Sequence, residues 1–170
     1  MSNAFDQINH SSSAEFVSVL GHLFEQSPWV VEETWPRRPF RDAAQLHAEL
    51  CLTMRSANRV KQLALINAHP DLAGRLAQQK KLTSESAREQ SGAGLDQLTE
   101  AELAEFMRLN DSYKAKFGFP FIICVRLNAK SAILAAMQTR LKNLPDAEFA
   151  TALGEIEKIA FLRLNDSLRN

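Results

Sequence analysis

The chain has 170 residues, 45% of them apolar, and twenty Lys and Arg balance twenty Asp and Glu. That length suffices for one domain with a sizeable core, and a formal charge of zero argues against nucleic acid or an anionic membrane as the main partner. The stretch Met1 to Ser13 is polar with no apolar signal core, and no apolar run is long enough to span a bilayer, so a soluble, intracellular protein is expected; Asn170 after Ser167-Leu168-Arg169 spoils a peroxisome-like tripeptide, which favours a cytoplasmic one. Cys51 and Cys124 each lie in an apolar stretch, which predicts buried free thiols. His10, His22, His47 and His69 lack metal-ligand spacing, so no metal is expected.

In chain order, residues 1–12 read as a polar tail. Ser12 and Glu15 have capping-box spacing, and Phe16, Val19, Leu20, Leu23 and Phe24 follow at helical intervals, predicting a helix from about Ser13 to Gln26. Ser27-Pro28 restarts a short turn carrying Trp29 and Val30, which Trp35-Pro36 closes. Asp42 can cap a helix with Ala43, Leu46, Leu50 and Met54 on one face. The next helix runs up through Leu63 and Ile66 towards Ala68-His69-Pro70-Asp71-Leu72. Pro70 lacks an N–H and pushes His69 out of the α region, so this helix ends there and a second segment, carrying Leu72 and Leu76, restarts with Pro70 in its first turn. His69 is therefore held at a corner. An imidazole is well suited to moving protons at neutral pH, although a histidine before a proline also serves as an ordinary packed corner.

Ser86 and Glu89 again have capping-box spacing, and Gly92 and Gly94 stop the helix soon after. Glu89 at that spacing suits a helix cap as well as an active-site carboxylate. Thr99 and Glu102 open a further helix with Leu103, Phe106, Asn110, Tyr113 and Phe117 along one side, ended by Gly118. Phe119 to Val125 is the one extended, β-rich run, and Pro120 makes it a poor ladder member. Its backbone groups need partners other than a sheet, either loops and water or a polar heterocyclic ligand. Asn128 can cap a helix with Ile133, Met137 and Leu141, and Pro145 separates it from the last helix. There Phe149, Leu153, Ile156, Ala160 and Arg163 share a stripe, and a guanidinium on an apolar stripe needs a buried carboxylate or an anionic ligand. The whole reads as all-α: about eight helices in one compact domain over residues 13–170, with one extended apolar segment at about 119–125.

An imidazole, a carboxylate and a guanidinium, His69, Glu89 and Arg163, suit proton transfer on an anionic substrate. No Gly-rich phosphate loop or nucleophile elbow accompanies them. From Phe16 to Leu164 the chain resembles the 2-oxo-4-hydroxy-4-carboxy-5-ureidoimidazoline (OHCU) decarboxylases of urate degradation. The resemblance lies in Ala68-His69-Pro70-Asp71-Leu72, Ser86 to Leu95 with Glu89-Gln90, Lys116-Phe117-Gly118-Phe119-Pro120-Phe121-Ile122, and Ile159-Ala160-Phe161-Leu162-Arg163-Leu164. It implies an all-helical, cofactor-free lyase, usually homodimeric, that forms (S)-allantoin and CO2 from the small molecule OHCU. It also implies His69 as acid/base, Glu89 as its electrostatic partner and Arg163 as the anion-binding group. Ser86 and Gln90 would hydrogen-bond the substrate, and Pro70 with the backbone of Phe119, Ile122 and Ile123 would hold its ring and ureido group.

Two alternatives come from other classes. One is a helical ligand-binding domain without catalysis. The other is a J-domain-like co-chaperone, since His69-Pro70-Asp71 matches that signature; Leu72, the chain length and Arg163 on its stripe count against it.

Overall fold

Ser12 behaves as its spacing requires: its hydroxyl accepts from the Glu15 N–H and the Glu15 side chain returns a bond to the Ser12 N–H. In this computed structural model, which describes residues 4–74 and 81–169, that box opens the second of nine α-helices among the described residues. The same residues contain no strand, so the expected all-α class holds. They gather into two compact units, Met1–Ala68 with Ile156–Asn170, and His69–Glu155.

The first unit contains α1 (Ala4–His10), α2 (Ser13–Leu20), α3 (Trp29–Thr34), α4 (Ala43–Ser56) and α5 (Arg59–Ala68). The expected polar tail is thus partly α1. Ile8 gives that helix a buried face, and the Asn9 side-chain amide bonds both the N–H and C=O of Phe40, at 2.8 and 2.9 Å. The next helix is shorter than its apolar spacing predicts: α2 stops at Leu20, Gly21–Leu23 tightens into a 3₁₀ turn, and Gln26 takes a left-handed φ of 44°. Glu25 therefore lies in a loop. Asp42 caps α4 as expected, accepting from the Gln45 N–H at 2.8 Å, and Leu46, Leu50 and Met54 are buried.

The second unit contains α6 (Ser84–Gly92), α7 (Glu100–Phe117), α8 (Lys130–Arg140) and the first part of α9 (Pro145–Ser167), which continues past Glu155 into the first unit. Thr99 and Glu102 form the expected box at the start of α7, and Gly118 ends it at a φ of 77°. Three boundaries differ from their sequence signals. Thr83, not Ser86, caps α6: its hydroxyl accepts from the Ser86 N–H, so Ser86 and Glu89 lie inside the helix. Ala129 precedes α8 without a side-chain cap, while the Asn128 amide donates to Cys124 O at 2.9 Å instead. After Pro70 the described residues form a turn rather than a helical first turn, because Ala73 at a φ of 51° cannot continue a helix. The expected continuation through Leu76 lies outside the described residues.

The change of cap generates a stability prediction. Thr83→Ala should lower the free energy of urea unfolding by about 1 kcal/mol, the usual effect of losing a side-chain cap. Glu89→Gln, at a mid-helix position, should leave the cap intact.

Candidate functional site

The corner at His69 is built as proline chemistry demands. Helix α5 ends at Ala68, and His69, only 8% exposed, precedes Pro70 outside any helix. Asp71 to Gly74 then form a β-turn closed by the Gly74 N–H on Asp71 O at 3.3 Å. Its third residue, Ala73, sits in the left-handed region that Gly or Asn normally fills. Gly74 has its own reason: a Cβ there would lie 2.5 Å from the Asp71 Cβ. This strained turn is held from outside. Gln90 Oε1 accepts from the Ala73 N–H at 3.0 Å, Asn110 Nδ2 donates to Leu72 O at 2.9 Å, and Lys114 Nζ reaches Asp71 Oδ2 at 2.6 Å.

Helix α6 presents Ser86 and Gln90 inward, both buried, with Glu89 half-buried beside them. Positions four apart share a helix face, so one turn of α6 carries all the residues the resemblance singles out there. Gln90 is 5% exposed, and its Nε2 has no hydrogen-bond partner among the described residues; the same holds for Asn110 Oδ1. Helix α6 packs against the 3₁₀ turn Val125–Leu127 that follows the extended segment. Burial first, then the Glu155 and Glu89 carboxylates, push the neighbouring Cys124 thiol above its ordinary range.

The extended segment itself, residues 119–124, is unpaired and buried. Two of its backbone groups end on charged side chains rather than loops or water: Arg140 Nη1 donates to Ile122 O at 2.7 Å, and Glu155 Oε2 accepts from the Cys124 N–H at 2.7 Å. Arg140 is fixed in turn by Glu148, on which Tyr113 and Asn143 also converge, and its guanidinium lies 4.3 Å over the Phe121 ring. Burial, reinforced by the Glu148 carboxylate, raises the Tyr113 hydroxyl well above its usual value and keeps it a neutral donor.

Arg163 belongs to the first unit. It is 4% exposed, and both terminal nitrogens lie 3.2 Å from Glu25 Oε2, with His22 O also 3.2 Å from Nη1. The counter-charge its stripe position calls for is therefore supplied at least in part by a buried carboxylate.

Of the residues singled out from sequence, the second unit ties His69-Pro70 to α6 through the Ala73–Gln90 bond and α6 to the end of the 119–124 segment. Glu25, Asn110, Arg140 and Glu155 were not singled out. Asn110 carried a signal, since it stands on the apolar side of its helix as Arg163 does. Glu25 carried none while a helix was expected through Gln26.

Residues 9–165 match the family model described as OHCU decarboxylase. The chain is 40% identical over 161 residues to a 2-oxo-4-hydroxy-4-carboxy-5-ureidoimidazoline decarboxylase of Halalkalicoccus jeotgali, covering 95% of this chain and 89% of that one. It is 38% identical over 162 residues to the mouse (Mus musculus) protein of the same name, covering 95% and 91%. Among solved structures it superposes on an (S)-allantoin synthase with a TM-score of 0.75 at 31% identity, spanning 96% of this chain and 53% of that chain. A likeness of fold extends to an OHCU decarboxylase crystallised with (S)-allantoin, with a TM-score of 0.71 at 24% identity over 94% of this chain and all of that one.

The Glu25–Arg163 pair makes a testable claim on stability. Glu25→Ala removes the partner of a buried guanidinium and should cost roughly 3–5 kcal/mol in denaturant unfolding, whereas Glu49→Ala, in a half-exposed pair with Arg37, should cost under about 1 kcal/mol.

Proposed function

The chain belongs to the OHCU decarboxylase family, and from that membership we propose that it converts OHCU to (S)-allantoin and CO2 without a cofactor, in the urate-degradation pathway. Loss of CO2 breaks the bond between the ring carbon and its carboxylate. The electron pair passes into the adjacent ring carbon–nitrogen double bond, which leaves the 4-hydroxyl as an enol; that enol becomes a carbonyl as a proton adds to the ureido-bearing carbon from one face, fixing the chirality. The protein then has only to orient, desolvate and protonate.

His69 is assigned the proton transfer, Glu89 its electrostatic support, and Arg163 the substrate's anionic group. Ser86 and Gln90 hydrogen-bond the substrate, while Pro70 and the backbone of Phe119, Ile122 and Ile123 hold the ring and ureido group. The observation that carries the proposal is the Gln90 amide, 5% exposed. Its oxygen is used on the turn after His69, and its nitrogen is a buried donor without an acceptor among the described residues. Leaving such a donor unsatisfied costs about 1–3 kcal/mol, which a carbonyl of a bound ureide would offset. The family match over residues 9–165 spans both units and supports reading 13–170 as one functional domain. No described helix is long and apolar enough to cross a membrane. A cytoplasmic homodimer that binds neither nucleic acid nor membrane completes the proposal.

Circular dichroism of allantoin formed from freshly generated OHCU tests the activity. A single enantiomer is expected, and a racemate at the uncatalysed rate would overturn it. For the roles, His69→Gln should stay folded and lose roughly 10²–10⁴-fold in rate, the span of general acid–base catalysis. Arg163→Lys keeps the charge but not the planar fork, so its kcat/KM should also fall sharply. Normal turnover by either variant removes that residue from its role.

A further inference from the structure

One peptide plane is gripped at both ends by side-chain amides. The carbonyl of Leu72 and the N–H of Ala73 belong to the same peptide group; Asn110 Nδ2 donates to the first at 2.9 Å and Gln90 Oε1 accepts from the second at 3.0 Å. Asn110 is 3% exposed, so neither bond is exchanged with water at little cost. The gripped peptide runs into Ala73, at its left-handed φ of 51°, a conformation that an alanine with a Cβ does not adopt unaided. Only two residues separate it from His69. Pro70 has its φ fixed by the ring, and Asp71 is tied by Lys114 Nζ at 2.6 Å and by its own carbonyl to the Gly74 N–H. Few free torsions remain through which the imidazole could be placed independently of the turn.

We propose that Asn110 is a positioning residue for His69: by pinning the Leu72 carbonyl opposite Gln90 it imposes the strained Asp71–Gly74 turn, and the turn fixes the backbone that presents the imidazole. The catalytic half rests on the role proposed for His69; the conformational half does not. Asn110→Asp is the informative change, since it keeps the shape of the side chain but leaves no amide donor for the Leu72 carbonyl.

NMR spectra of selectively labelled protein, recorded at one pH, read the conformation directly through the Ala73 backbone resonances and the His69 ring resonances. Both sets should move in Asn110→Asp while the rest of the spectrum stays dispersed. In the decarboxylase assay kcat should fall about tenfold or more, since small displacements of a reacting group have large effects, and KM should change by less than about twofold. Ala73→Gly placed in the Asn110→Asp background should recover part of the lost kcat, because glycine takes the left-handed conformation without external force. A lost packing contact at Asn110 would not be mended in that way. Asn110→Ser, smaller and neutral, serves the same comparison if the aspartate variant does not fold.

A folded Asn110 variant whose Ala73 and His69 resonances coincide with those of the unmodified protein overturns the proposal, as does a loss of activity confined to KM or untouched by Ala73→Gly. A chain that does not decarboxylate OHCU at all would refute the proposed activity instead, and the resonances would still decide whether Asn110 sets the turn.

Discussion

Pro70 disfavours a helical conformation for its predecessor, and the consequences of that constraint run through the second unit. Once α5 ends at Ala68, the chain has buried polar groups to satisfy and no helix to satisfy them. It turns sharply through Asp71–Gly74, and the turn is stable only because α6 and α7 meet it with polar side chains at matching places. The left-handed Ala73 makes the debt explicit: a conformation unfavourable by about 1–2 kcal/mol persists where surrounding contacts over-determine it. Such outliers gather where a protein must hold one residue in one place.

The buried charges obey a stricter rule. Arg163 faces Glu25, and Arg140 faces Glu148 with Tyr113 and Asn143 completing the carboxylate's shell. Taking either ion out of water alone would cost several kcal/mol, so each pair is stable only as a pair. Both guanidinium groups also donate to a backbone carbonyl, Arg163 to His22 O and Arg140 to Ile122 O. Arg140 has a nitrogen to spare for the Ile122 carbonyl and so supports an extended segment that has no sheet to join. Glu155 performs the complementary task on the Cys124 N–H, leaving the 119–124 run anchored by one cation and one anion.

Much of this was legible in the sequence, and what was legible is local. The caps at Ser12, Asp42 and Thr99, the left-handed stop at Gly118 and the break before Pro70 depend on residues within one turn of each other. The apolar stripes on α4 and α9 follow from periodicity alone. The failures are equally physical. Thr83 and Ser86 are both acceptable caps, and propensity does not choose between two hydroxyls three positions apart. Ser86 was instead claimed by the interior, where it is buried. Glu25 gives no signal because the helical pattern runs through it, while the chain tightens into a 3₁₀ turn at Gly21–Leu23 and takes a left-handed Gln26 to leave that helix early. For the candidate site, the resemblance named residues, but the side chains that fix their backbone are distant in sequence, and no spacing rule connects Asn110 with Leu72.

The ties at the corner also separate geometry from charge. A group that transfers protons works best with its pKa near the operating pH, and every full charge packed against it moves that value. Two of the three side chains that hold the turn are neutral amides, which fix direction as firmly as an ion pair without adding to the local field. The third, Lys114 with Asp71, is a pair of opposite sign at a partly exposed position, where solvent weakens what little net field it has. These ties therefore add little net charge beside the turn. On α6 the next residue before Gln90 is the carboxylate Glu89, about 100° around the helix, so one turn offers both a neutral grip on the backbone and a separate charge. In the proposed mechanism those two tasks can be altered one at a time, because adjacent positions on a helix face different neighbours.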